Sequence, residues 1–155
     1  MSYKFQKATI AEIFEVYRSI PEFRQFKSLG ELKKRLNSKP HLILIARCKT
    51  ELVGFRAGYA RSSIEFYSWL GAIHPKHRGR GIEAKLLSAQ EHWARTQGYE
   101  RITLSSRNRY PEMMRLLLTQ QYRIYDYHPR KTLDEGKVYF VKPLSGKGPE
   151  NAEKI

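Results

Sequence analysis

Ile73-His74-Pro75-Lys76-His77-Arg78-Gly79-Arg80-Gly81-Ile82-Glu83-Ala84 is the stretch on which the reading of this chain turns. It joins the apolar run Ile64–Ile73, a strand by its pattern, to a helix expected from about Gly81 to Gln97. Ile82, Leu86, Ala89 and Trp93 recur there at helical spacing and form its expected buried face. Gly79 and Gly81 let the backbone turn tightly and approach a ligand. The first helical turn offers unpaired N–H groups and the positive end of the helix dipole, a setting that favours phosphate. Lys76, His77, Arg78 and Arg80 add cationic side chains at the same point. An ordinary strand-to-helix turn with solvated charges would read the same way, so the surrounding chain has to decide.

Upstream, Tyr3–Lys7 alternates aromatic and polar residues as a short strand. Thr9–Glu12 and Ser28–Glu31 both have capping-box spacing. The first opens a helix carrying Ile10, Ile13, Phe14, Tyr17 and Ile20, and the second a shorter one carrying Leu29, Leu32 and Leu36. Leu42–Cys48, Leu52–Tyr59 and Ile64–Ile73 read as an antiparallel meander joined by polar turns. Downstream, Gly98 stops the long helix, and Arg101–Ser105 is a strand parallel to Ile64–Ile73 through the βαβ connection. Pro111–Gln120 is a helix, and Tyr122–His128 with Val138–Lys142 makes a final hairpin. The expected fold is α/β, an α+β mixed sheet of six to seven strands flanked by about four helices, in the order β-α-α-β-β-β-α-β-α-β-β. One domain over residues 1–144 and a loose polar tail over residues 145–155 are expected.

The chain has 155 residues and a net charge of +14. Residues 1–71 hold 13 Lys and Arg against 6 acids, residues 72–131 hold 12 against 5, and the last 24 balance at 4 each. The excess therefore lies on the body rather than on a basic arm. It is compatible with an anionic cofactor, an acidic partner or a nucleic acid. No stretch approaches the about 20 apolar residues of a membrane span, and the N-terminus lacks a signal-peptide pattern. The lone Cys48 excludes an internal disulfide framework and points to a reducing cytoplasm.

Three phosphate-loop patterns compete for Arg78–Gly81. A Walker loop needs Lys-Ser or Lys-Thr after its last glycine, and Ile82-Glu83 stands there instead. Gly79-x-Gly81-x-x-Ala84 satisfies a dinucleotide fingerprint in letters, but the first glycine follows the strand too late. No acid ends the next strand, which finishes Leu104-Ser105-Ser106. The third pattern closely resembles the acetyl-CoA-binding motif of the GNAT superfamily of N-acetyltransferases. That motif runs from a strand-end aliphatic residue, often followed by x-Pro, into Q/R-x-x-G-x-G/A. Lys76 takes the first motif position here, a departure from Gln or Arg. Val53-Gly54-Phe55, Leu86-Leu87, Gly98-Tyr99 and Asn108 also fall where the family has similar residues, and the element order is the family's.

The resemblance implies an acetyl group moved from acetyl-CoA directly to an amine, with no metal. It implies main-chain contacts from Ile73 to the pantetheine arm, backbone N–H groups of Arg78, Gly79, Arg80, Gly81 and Ile82 on the pyrophosphate, and Asn108 near the thioester. Capping of the following helix is an equal reading for Asn108. A Lys-like amine has a pKa of about 10.4, so a proton acceptor is needed. Strict alternation puts Glu65, Tyr67, Trp69 and Gly71 on the side of Ile73, with Ser68 and His74 opposite unless a bulge re-aims them. Glu65 is the strand's only carboxylate, and Tyr67 is a candidate to orient substrate or water. Many family members protonate the departing thiolate with a Tyr five residues before the aromatic of a Gly-Phe pair. Gln121-Tyr122 takes that pair's place here, which puts Leu117 at the acid position, with Tyr110 or Tyr122 as substitutes. A GNAT-fold module that binds CoA or nucleic acid with little catalysis is the alternative. The acceptor is not legible, and a homodimer is compatible with the sequence.

Overall fold

The strand and helix signals all produce elements in the computed structural model, which describes residues 2–21 and 28–144. The tail expected over residues 145–155 lies outside them. The order is β1 (Lys4–Lys7), α1 (Ile10–Ser19), α2 (Leu29–Leu36), β2 (His41–Cys48), β3 (Glu51–Ala60), β4 (Glu65–Ile73), α3 (Ile82–Thr96), β5 (Arg101–Arg107), α4 (Pro111–Thr119), β6 (Arg123–His128) and β7 (Lys137–Pro143). Both capping boxes form. Thr9 and Ser28 accept from the N–H groups of Glu12 and Glu31 at 3.2 Å, and each Glu carboxylate accepts the cap's own N–H. An N-cap of this kind is worth about 1 kcal/mol.

The seven strands run in the order β1-β2-β3-β4-β5-β7-β6. The meander is antiparallel, and β4 pairs parallel with β5 from Glu65↔Arg101 to Tyr67↔Thr103. The final hairpin is present, but its second strand is the inner one: β7 pairs β5 along Arg101↔Pro143 to Arg107↔Lys137, and β6 lies outside it. The cause is apolarity. β7 buries Val138 and Phe140, whereas every residue of β6 is exposed.

By compactness the chain divides into one unit of Met1–Ala60 with Ser68–His92 and another of Arg61–Tyr67 with Trp93–Ile155. In the first unit, Phe55 packs on Tyr17 of α1, while its neighbour Arg56 reaches Glu83 of α3. Successive residues of a strand face opposite ways, so α1 and α3 cover opposite faces of β3. Ile13, Val16, Leu32, Leu36, Ile45 and Val53 fill the core on the α1 and α2 side and between strands. In the second unit Phe66 meets Trp93 edge-on at 5.2 Å and Tyr99 at a tilt at 5.3 Å, and Ile102, Leu104, Leu117 and Phe140 are buried.

One expectation about α3 changes, its buried face. Its buried residues are Ile82, Leu86, Leu87, Gln90, Glu91 and Ala94, with Ala89 and Trp93 only half-buried. The stripe turns because the strand beneath presents polar groups: Ser68 donates to Gln90 Oε1. Gly98, at φ +91°, closes the helix as expected, with Tyr99 N–H on Ala94 O and Gly98 N–H on Arg95 O.

Candidate functional site

The strand-to-helix turn is built in three steps. His74 N–H donates to Val53 O at 2.8 Å, which holds the end of β4 on β3. Pro75–His77 then forms a single 3-10 turn that the sequence pattern did not reveal, capped by His74 Nδ1 on the Lys76 N–H. Pro75 supplies the fixed φ, and a run this short carries no apolar periodicity to read. Finally Gly79 and Gly81 take φ +77° and +78°, and α3 begins at Ile82.

A Cβ placed on either glycine would meet nothing within 4 Å. Their side is open space, so the protein's own packing does not demand glycine there; the positive φ does, and the backbone is left bare for a ligand. The helical ladder starts with Lys85 N–H on Gly81 O at 3.1 Å. The amides of the first turn precede that ladder and point out of the helix end, alongside the exposed side chains of Lys76, Arg78 and Arg80. These residues fit a pyrophosphate: bare backbone, unladdered N–H groups and three cations.

His77 does not join them. It is buried, its Nδ1 lies 3.0 Å from Tyr3 Oη, and it packs edge-on to that ring. It anchors the 3-10 turn, with Tyr3 as its packing partner. Arg78 donates its Nε–H to Ile73 O at 2.9 Å, so the strand-end carbonyl expected to face a ligand already accepts one bond. A carbonyl has two lone pairs and can accept a second.

Beneath the turn sits a polar network that sequence reasoning missed. Arg56, 5% exposed, donates Nε and Nη2 to Glu83 Oε1 at 3.1 and 2.9 Å and Nη1 to Ser68 Oγ at 2.6 Å. Glu83 is in the first turn of α3, so this pair ties the helix start to β3 and β4. A Cβ on Gly71 would come within 2.8 Å of the same guanidinium. Ser68 and Gly71 therefore share a face although they are three residues apart, which regular alternation forbids. β4 carries an irregularity between them. The expectation that Ser68 faces away from Gly71 and Ile73 is corrected accordingly. The only sequence signal was an Arg inside an apolar strand.

In the second unit, Glu65 is engaged on every side. Arg101 Nε lies at 3.2 Å, Thr103 Oγ1 donates at 2.8 Å and Arg61 Nη1 is at 3.6 Å. Arg61 also lies over the Tyr67 ring at 3.6 Å, and Tyr67 Oη is 3.2 Å from Ser105 Oγ. Asn108 does not cap α4, whose N-cap, Tyr110, makes no side-chain cap bond. Its Nδ2 donates to Leu133 O at 2.9 Å, and with Arg107 and Arg109 it holds the loop before β7 to the end of β5. Leu117 is fully buried, Tyr122 is 2% exposed and Tyr110 is 47% exposed.

The chain as a whole is similar to known proteins. Residues 8–117 fit the family model described as acetyltransferase (GNAT) family. The chain belongs to that family. Among solved structures it resembles the ribosomal-protein alanine N-acetyltransferase of Escherichia coli, at 12% identity and TM-score 0.78 over 93% of this chain and 95% of that one. The phosphinothricin acetyltransferase of Sinorhizobium meliloti, solved in complex with acetyl-CoA, aligns at 16% identity and TM-score 0.76 over 97% and 92%. A GNAT family acetyltransferase of Elizabethkingia anophelis with acetyl-CoA bound aligns at 14% and 0.74 over 92% and 98%. At these identities the likeness concerns the fold. No curated protein matches the chain by sequence. Among the described residues, no helix is long and apolar enough to cross a membrane.

Proposed function

We propose that the chain is an N-acetyltransferase that moves an acetyl group from acetyl-CoA directly to an amine. The observation that carries this reading is the pair Gly79 and Gly81, both at positive φ with open space beside them, at the start of α3. Backbone amides from Arg78 to Ile82 would hold the pyrophosphate, with Lys76, Arg78 and Arg80 as its cationic rim. Ile73 would use its second carbonyl lone pair on the pantetheine arm. Asn108, expected near the thioester, has its amide nitrogen committed to Leu133 O and so fixes the loop Leu133–Gly136.

The acceptor amine attacks the thioester carbon as a free base, and its proton leaves to water or to a side chain. Tyr67, held by Arg61 and Ser105, is suited to orient that water. Glu65 keeps two arginines and a threonine in place and fits the role of anchor better than that of base. Of the two tyrosines that could protonate the thiolate in place of Leu117, only Tyr110 is accessible. A thiol of pKa about 8.5 can also leave unassisted. The buried Leu117 favours a second reading, a CoA- or nucleic-acid-binding module with weak catalysis.

Free-thiol release from acetyl-CoA over an amine panel tests the enzyme. Amine-dependent release supports it, and binding of acetyl-CoA without release on any amine favours the module. A nucleic-acid role requires binding that weakens steeply with salt.

A further inference from the structure

A cleft of about 400 Å³ in the first unit is lined by Glu31, Lys34, Arg35, Lys39 and Trp69. Its construction follows from α2. Glu31, Lys34 and Arg35 are spaced i, i+3 and i+4 and so share one face of the helix. Glu31 spends a carboxylate oxygen on the Ser28 N–H of its own capping box. Arg35 lies over Trp69, with its Cζ 4.8 Å from the ring centroid, and donates Nη1 to Tyr59 Oη at 3.1 Å. Lys39 Nζ sits 4.4 Å from the Tyr59 centroid, and the Tyr59 and Trp69 rings meet edge-on at 5.9 Å. Arg35 and Lys39 thus lie over an aromatic floor in a cleft that Lys34 also lines, against one acid that is already capping a helix.

Trp69 belongs to β4, four residues before Ile73, about 13 Å of extended strand from the turn that we assign to acetyl-CoA. We infer that this cleft selects an amine acceptor that carries a carboxylate. The carboxylate would take the Arg35 fork with Lys34 and Lys39 around it, and an apolar body would lie on Trp69. The inference rests on the acetyltransferase reading for its amine and on the cleft for its anion. A guanidinium held by an aromatic ring and a tyrosine hydroxyl is preorganised, and its planar fork matches a carboxylate in two bonds. The one carboxylate of β4, Glu65, is neutralised by Arg61 and Arg101, so it does not set an opposing charge on that strand. The net charge of +14 has the same sense.

The test uses the full chain, acetyl-CoA and acceptors in matched pairs that differ by one carboxylate. Phenylalanine against phenylalaninamide is the small-molecule pair. Tetrapeptide amides with Glu or Gln at the second position are the peptide pair. We expect a KM about 10- to 100-fold lower for the acid of at least one pair, and loss of that preference in Arg35→Gln with acetyl-CoA stabilisation unchanged. Which pair shows it tells whether the carboxylate is a free amino acid's or a peptide's. Lys34→Gln, on an exposed helix position, should shift KM the same way and guards against a folding defect in Arg35→Gln. Equal KM for acid and amide in both pairs, or a preference that survives Arg35→Gln, overturns the inference. If nothing is acetylated, Trp69 fluorescence in a Trp93→Phe background is titrated with phenylalanine. A saturable change lost in Arg35→Gln upholds the anion site and places the failure on acetyl transfer. No saturable change at about ten times a millimolar Kd overturns it.

Discussion

Arg78 folds back over its own turn to donate Nε–H to the Ile73 carbonyl at 2.9 Å. The bond closes the loop between strand end and glycines before any ligand arrives, which reduces the ordering that binding would require. Arg78→Ala removes both this tie and a cation and should weaken acetyl-CoA binding about tenfold or more. Arg78→Lys keeps the charge without the fork and should recover only part. Calorimetric titration of the three proteins decides; equal affinity in Arg78→Ala would remove Arg78 from the site.

The Arg56–Glu83 pair sets the position of the helix start on which the proposed site depends. Arg56→Met leaves Ser68 and a half-shielded Glu83 without their donor, at a cost of about 2–4 kcal/mol. Gly71→Ala pushes a methyl group to within 2.8 Å of a guanidinium fixed by three bonds, costing about 1–3 kcal/mol. Denaturant melts measure both. A neutral Gly71→Ala would show that Arg56 moves aside freely.

Gln121 stands at φ +77° where α4 ends, with Tyr122 N–H on Leu117 O and Gln121 N–H on Leu118 O. This is the helix stop that glycine fills at Gly98, here with a side chain in left-handed backbone. Gln121→Gly should stabilise the protein by about 1 kcal/mol, a rise of about 3 °C in Tm. A fall in Tm would mean that the Gln121 side chain makes a contact worth more than the strain.

Burial against Phe66 and Trp93 pushes the Tyr99 phenol above its ordinary value of 10.0. A pKa raised in the folded state means that the neutral phenol is favoured there. The stability Tyr99 contributes is complete below the unfolded pKa of about 10 and is lost as pH rises through the folded value. Tyr99→Phe should therefore flatten the alkaline decline in denaturation midpoint above about pH 10. Parallel curves for the two proteins would contradict this.

The elements were legible because each was announced twice, by periodicity and by a terminal signal. Thr9, Ser28 and Gly98 mark helix ends as their chemistry requires, and Val53-Gly54-Phe55 lies in a buried strand. The Gly-rich turn at the start of α3 was legible for the same reason, since glycine and helix start are both local. What escaped notice depends on long-range neighbours. That His77 turns inward follows from Tyr3, 74 residues away. That Glu65 is neutralised follows from Arg101 and Thr103 on a strand brought alongside by α3. The irregularity in β4 and the inward Gln90 follow from Arg56, whose buried ion pair no period reveals. The cationic cleft joins α2 to Trp69 across residues that are polar in sequence and read as ordinary solvent-facing charge.

The most direct measurement is thermal denaturation with increasing acetyl-CoA, run on the natural chain and on Gly81→Val. A ligand that binds only the folded state raises the midpoint, by about 2.7 kcal/mol of added stability at 100 times its Kd. The natural chain should show that concentration-dependent rise. Gly81→Val, with a branched side chain forced to φ +78° beside the helix amides, should melt somewhat lower and not respond. An unresponsive natural chain at millimolar acetyl-CoA, or an equal rise in the variant, would contradict the assignment of this turn to the cofactor.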